Sequence, residues 1–168
     1  MRLEKLQSLA DHLIATYVGH HATGTCVCAA LGFPTEGSTL NDKQRELLGF
    51  SISTLRQPGS ILEMYARTDR AGSGGYNMAL SRRRLVSVQD ALIASGAPIE
   101  KARGPHCKAV GERFEAHYGL SDNTAYAGGR AVWAFFWPSQ AAFDEGPDSE
   151  EAGFRRLTEF GRGYGLPV

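Results

Sequence analysis

Hydrophobic and polar positions along the chain follow two periods, and each change of period marks a new element. Ile61 to Arg67 alternates, with Leu62, Met64 and Ala66 pointing one way and Ile61, Glu63, Tyr65 and Arg67 the other. That period of two predicts a strand with one covered face. Thr25 to Phe33 alternates likewise, with Val27, Ala29, Leu31 and Phe33 on one face, and predicts the first strand. Ala131 to Trp137, closed by Pro138, is the most apolar run and predicts the last strand. Between these the spacing turns helical. Leu40, Leu47, Leu48, Ile52 and Leu55 share an inward side over 40–56, after a capping-box start at Thr39 and Asp42 and before a stop at Pro58-Gly59. A second helix runs from Asn77 to about Ala94 and stops at Ser95-Gly96, with Pro98 just beyond.

The ends read differently. Leu3, Leu6, Leu9, Ala10, Leu13, Ile14 and Tyr17 form one stripe and predict an N-terminal helix from Leu3 to about Val18. Ile99 to Ala102 is expected as a short strand. Pro105 to Tyr118 has helical spacing, with Cys107, Val110, Phe114 and His117 on one side. After Ser139 a loop at Asp144 to Asp148 and a short helix from about Ser149 to Phe160 are expected, then a glycine-rich end. The chain thus divides into an N-terminal extension (1–22), a central domain (23–138) and a C-terminal extension (139–168).

On a wheel at about 100° per residue, the second helix separates three adjacent arginines. Met78, Leu80, Leu85, Val88, Ala91 and Leu92 share an apolar arc; Arg84 falls inside it, Arg82 at its edge and Arg83 outside. A guanidinium in a core-facing stripe needs a partner, because an unpaired desolvated charge is costly. Asp69, at the carboxyl end of the preceding strand, is the nearest acid with a natural approach. The two either form a structural ion pair or stand apart to grip a ligand carrying both an ammonium and a carboxylate.

The run Ala66-Arg-Thr-Asp-Arg-Ala-Gly-Ser-Gly-Gly-Tyr-Asn-Met-Ala-Leu-Ser-Arg-Arg-Arg resembles the central motif of OmpA-like peptidoglycan-binding domains. Thr68, Asp69, Gly72, Tyr76, Asn77, Leu80, Ser81 and Arg84 match that motif in order and spacing. The resemblance implies an α/β sandwich, a mixed sheet of about four strands in βαβαβ order with helices on one face. It also implies a function: non-covalent binding of peptidoglycan through the meso-diaminopimelate of the stem peptide, anchoring an envelope protein or assembly to the cell wall. By position Asp69 takes the ammonium and Arg84 a carboxylate, with Asn77, Thr68 and Phe33 around them. The implied location is the periplasm or cell envelope, with no cofactor and no catalysis. The chain departs from the family in three places. Arg67 replaces a histidine, the Gly-x-Gly-Glu loop is not found, and of the family's Asn-Arg-Arg-Val-Glu only Arg130 and Val132 remain in Gly129 to Trp133. An OmpA-like scaffold that has lost peptide binding and serves as a protein–protein module is the alternative.

Composition narrows the rest. Apolar content is 42%, and 18 basic residues balance 18 acidic ones, so nothing favours nucleic acid or an anionic membrane as partner. No uninterrupted apolar run is long enough for a transmembrane segment. Gln7, Asp11 and His12 interrupt any signal-peptide core, so an export signal is not expected within the chain. The N-terminal helix is left with three roles: docking on the domain, pairing in a homodimer, or continuing from a membrane anchor. Cys26 and Cys28 would share one side of a strand, where neighbours rarely bridge, and with Cys107 they read as small buried hydrophobes. His20, His21, Cys26 and Cys28 match no standard zinc spacing, so no metal is expected. Glu112, Glu115, His106 and Cys107 offer no nucleophile with a convincing base and orienting partner.

Overall fold

The computed structural model describes residues 27–117, 129–140, 143, 153–155 and 157–158, together with the backbone of 4–5 and 17–20. Among the described residues six strands form one sheet: β1 (Glu4–Lys5), β2 (Tyr17–His20), β3 (Val27–Gly32), β4 (Ile61–Arg67), β5 (Cys107–Gly111) and β6 (Ala131–Trp137). Their order is β1-β2-β3-β6-β4-β5. Only β4 and β5 pair in parallel; the other neighbours are antiparallel, with Ala30 opposite Trp133 and Tyr65 opposite Trp133 across the two sides of β6. The last strand is therefore the central one of the β3-β6-β4 group.

The first three helices cover one face, as the resemblance implies. α1 (Asp42–Leu48) passes through a tighter turn at Gly49–Ser51 into α2 (Ile52–Leu55), and α3 (Gly74–Ala94) returns over the sheet. Leu48, Leu55, Val88 and Leu92 pack with Leu31, Phe33, Leu62, Met64, Val132 and Phe136 in one buried cluster. The start of α1 lies two residues later than the capping signal suggests. Asn41, not Thr39, is the cap: its Oδ1 accepts from the Gln44 amide at 2.8 Å, and Gln44 Oε1 accepts from the Asn41 amide at 3.0 Å. An amide pair serves as well as Thr and Asp here, and Gln44 also donates to the Gly32 carbonyl at 2.7 Å, tying α1 to the end of β3.

The second face of the sheet is covered too, contrary to the reading of β4 as open on one side. Tyr65, Trp133, Phe135 and Trp137 meet Phe114, Phe143, Phe154 and Leu157 there. Phe114 belongs to α5 (Arg113–His117), and residues 153–155 and 157–158 are helical, within the helix expected over 149–160. The polar residues of β4 on this face signalled solvent but are paired instead. Glu63 accepts from the Tyr65 hydroxyl at 2.6 Å and from Trp137 Nε1 at 3.2 Å. Arg67 donates through Nε (3.1 Å) and Nη2 (2.6 Å) to Glu115 Oε1 and lies 3.7 Å over the Phe114 ring. Alternation reports that one face is apolar; it does not say that the polar face is wet.

Three further expectations are corrected. Both described ends of the N-terminal stripe are strands rather than helix: Glu4 pairs with Val18 and Lys5 with Tyr17, and β2 continues onto β3 through Val18 and Ala29. An unpaired edge of β3 would leave a row of amides and carbonyls open, and Tyr17 and Val18 suit a pleated surface. Ile99–Ala102 is a single helical turn, α4, with Pro98 at its N-cap position. The third strand of the domain is instead β5, inside the stretch expected to be helical, because the outer edge of β4 takes a parallel partner there; helix begins only at Arg113. Gly111 ends β5 with a φ of 55° and is followed by Glu112. No helix among the described residues is long and apolar enough to cross a membrane.

Burial pushes the Glu115 carboxyl above the ordinary glutamate range, and the Arg67 guanidinium opposes this only in part. A carboxyl whose pKa is raised by folding stabilises the fold most below its unfolded pKa, and that contribution is lost as pH rises through the folded value. Melting temperature is therefore expected to decline as pH rises from the ordinary glutamate range toward neutrality. Glu115→Gln should remove that component of the pH dependence whatever its absolute stability, and a melting series across pH checks this.

Candidate ligand-binding site

β4 ends at Arg67, and the chain leaves the sheet through Thr68 and Asp69. The Thr68 amide donates to the Gly111 carbonyl at 2.9 Å, which holds this exit beside the end of β5. Gly72 turns the chain with a φ of 86°, and Ser73 caps α3 by accepting from the Tyr76 amide at 3.2 Å. The helix thus starts three residues before Asn77. Asn77 therefore lies buried in the first turns and donates from Nδ2 to Glu112 Oε2 at 2.6 Å. Thr68 is also buried.

Arg84 is buried, as the helical wheel requires, while Arg82 and Arg83 are exposed. Its guanidinium is held by three carbonyls: Nε donates to Gly37 (2.8 Å), Nη1 to Arg67 (3.0 Å) and Nη2 to Pro34 (3.2 Å). Phe33 lies behind it, with its ring centroid 5.2 Å from the guanidinium carbon. Burial, opposed chiefly by the charge of Asp69, lowers the Arg84 pKa to about 10, so the group stays charged at neutral pH. Five N–H donors less three leaves two for a ligand.

Asp69 is 5% exposed. Its Oδ1 accepts from the Ala71 amide at 3.3 Å, and its Oδ2 pairs with Arg130 Nη1 at 3.2 Å. The structural ion pair weighed for Asp69 and Arg84 is therefore made with Arg130, just before β6. Arg67 stays on the far face of the sheet with Glu115 and does not meet Asp69. Gly129 makes the approach of β6 feasible: a Cβ there would come within 2.7 Å of Glu115 Oε1 and 3.0 Å of Asp69 Cα.

Asp69, Arg84, Arg130, Asn77, Tyr76 and Glu36 line one cavity of about 410 Å³. It opens beside the N-terminus of α3, where backbone amides and the helix dipole favour an anion. Of the five residues marked in the sequence, Asp69, Asn77 and Arg84 line it; Thr68 and Phe33 stand behind. Sequence reasoning missed Arg130 and Glu36. Arg130 had one signal, its survival in the otherwise altered last-strand pattern; Glu36 had none. Of the residues weighed for metal, Cys28 is buried in the second-face core, and His21 and Cys26 lie outside the described residues. Among the described residues no three His, Cys, Asp or Glu side chains converge to hold an ion.

No family model and no curated protein matches the chain by sequence. Solved structures do match by shape. The peptidoglycan-associated lipoprotein from Burkholderia pseudomallei aligns with a TM-score of 0.54 and 21% identity, over 64% of this chain and 88% of that one. The OmpA-like domain of FopA1 from Francisella tularensis aligns at 0.52 and 18%, over 80% and 94%. A periplasmic domain of MotB aligns at 0.51 and 11%, over 94% and 81%. The chain has the OmpA-like fold.

Proposed function

We propose that the chain binds peptidoglycan non-covalently through the meso-diaminopimelate of its stem peptide and so anchors an envelope protein or assembly to the cell wall. The side-chain terminus of diaminopimelate carries an ammonium and a carboxylate on one carbon. A complementary cavity needs an acid and a base facing the same space, and the convergence of Asp69 and Arg84 on one cavity carries the reading. Asp69 takes the ammonium. The two unused donors of Arg84 take the carboxylate, which a planar guanidinium meets with parallel bonds that lysine cannot make. Asn77 sets the wall of the cavity through Glu112, while Phe33 and Thr68 support Arg84 and Asp69 from behind.

The reading places the domain in the periplasm or cell envelope, without cofactor or turnover. It draws support from fold neighbours whose names are those of a peptidoglycan-associated lipoprotein and a periplasmic domain. One observation favours the alternative, a scaffold for protein contacts: the Asp69 carboxylate is already bonded to Arg130. Sedimentation with insoluble peptidoglycan separates the two. The protein is expected to co-sediment with diaminopimelate-type material and weakly with lysine-type material, which lacks the second carboxylate. Recovery with neither would move the function to the scaffold reading, and equal binding to both would remove diaminopimelate as the recognised group.

A further inference from the structure

We propose that Glu36 is a second acceptor for the ligand ammonium, so that the ammonium is seated between two carboxylates, Glu36 and Asp69. The inference rests on the diaminopimelate reading above. It starts from what Asp69 has left to offer. One of its oxygens is bonded to Arg130 and the other to the Ala71 amide. An ammonium brings three donors, and a carboxylate already engaged at both oxygens cannot satisfy them alone. Glu36 lines the same cavity, is exposed, and has no ion pair among the described residues.

The turn that carries Glu36 is built to hold it there. Residues 34–37 close on the Gly37 amide, which donates to the Pro34 carbonyl at 2.9 Å. Glu36 has a φ of 61°, and among the described residues it is the one non-glycine in the left-handed region. Gly37 is required beside it, because a Cβ would meet the Pro34 ring at 2.5 Å. Arg84 then fastens both ends of the turn, through the carbonyls of Pro34 and Gly37. A strained residue kept in place by a buried arginine at the rim of a cavity is a ligand-clamp arrangement. The same guanidinium that would meet the ligand carboxylate also sets the position of the second acid.

Charge supports the assignment. Asp69 and Arg130 cancel, leaving Arg84 as an excess cation if Glu36 is ignored; with Glu36 the cavity holds two acids and two bases. A zwitterionic terminus then enters without leaving an uncompensated charge in the site. The ligand class follows: an amino-acid terminus whose amine is free and charged, not acylated.

The test is titration calorimetry with a soluble muropeptide carrying meso-diaminopimelate, and with the same muropeptide acetylated on the diaminopimelate side-chain amine. Wild type is expected to prefer the free amine. Glu36→Gln should weaken binding of the free-amine ligand roughly three- to tenfold and leave the acetylated ligand unaffected, while Glu36→Asp restores part of the loss. Equal effects of Glu36→Gln on both ligands, or none on either, would overturn the Glu36 assignment while leaving the diaminopimelate reading in place. A wild-type protein that binds neither ligand would overturn that reading, and this inference with it. Glu36 is exposed, and matched melting temperatures of wild type and variants show that the readout is binding and not folding.

Discussion

Replacing Asp69 with alanine is expected to weaken retention on diaminopimelate-type peptidoglycan roughly ten- to a hundredfold, and Arg84→Ala to do the same. A charge-assisted contact contributes about 1.5–3 kcal/mol, which converts to that range. The two variants differ in what else they disturb. Asp69→Ala leaves Arg130 beside an empty place, a partly buried charge without its carboxylate. Arg84→Ala strips a donor from each of the Pro34, Gly37 and Arg67 carbonyls, and the 34–37 turn loses its fastening. Some loss of melting temperature is therefore expected for Arg84→Ala, and Arg84→Lys is the better probe, since it keeps the charge without the fork. Arg83→Ala should bind as wild type does; the residue is exposed and its nearest aromatic contact is Tyr76, 5.9 Å away. Co-sedimentation with melting curves on the same preparations measures both effects. Undiminished retention of Asp69→Ala and Arg84→Lys would remove the site from the function.

The largest effect on stability is expected on the other face of the sheet. Arg67 and Glu115 are both fully buried and 2.6 Å apart. Removing either partner strands the other in a low-dielectric interior, which typically costs about 3–5 kcal/mol. Arg67→Ala and Glu115→Ala should each lower the free energy of unfolding by that much, a large part of a typical domain's stability. The double substitution Arg67→Met with Glu115→Leu should recover most of the loss, because an apolar pair of similar volume avoids the desolvation of two charges. Chemical denaturation of the three variants decides it. A double variant no better than either single one would mean that the pair stabilises beyond its mutual compensation.

Much of this arrangement was legible in the chain. Periodicity located β4 and β6 at their observed limits and set Arg84 inside while Arg83 stayed out, and the resemblance supplied the shared face of α1, α2 and α3. It failed where short-range pattern and long-range pairing disagree. The leucine spacing of the N-terminal stripe suits a helix, yet its described ends complete a sheet edge that only the folded β3 creates. Cys107, Val110 and Phe114 share a helical spacing by coincidence, since a strand and the following helix meet between them. The site divides in the same way. Asp69, Asn77 and Arg84 lie within one contiguous stretch and announce themselves together. Arg130 lies 61 positions from Asp69, and Glu36 reaches the cavity from a turn before α1, so neither contact exists until the sheet is assembled.

That β6 is last in sequence and central in the sheet also has a kinetic side. Among the described residues β3 and β4 each pair with β6 and not with one another, so neither can settle its register until residues 131–137 have arrived between them. Arg130, paired with Asp69, directly precedes the same strand. The nucleus is thereby committed to contacts of high sequence separation, whose loop-closure entropy is spent before any ladder bond repays it. Refolding slower than that of helical bundles is expected, which stopped-flow fluorescence of Trp133 and Trp137 would check. Until β6 docks, β3 and β4 each present an open ladder edge, the kind of surface on which unfinished chains pair with one another.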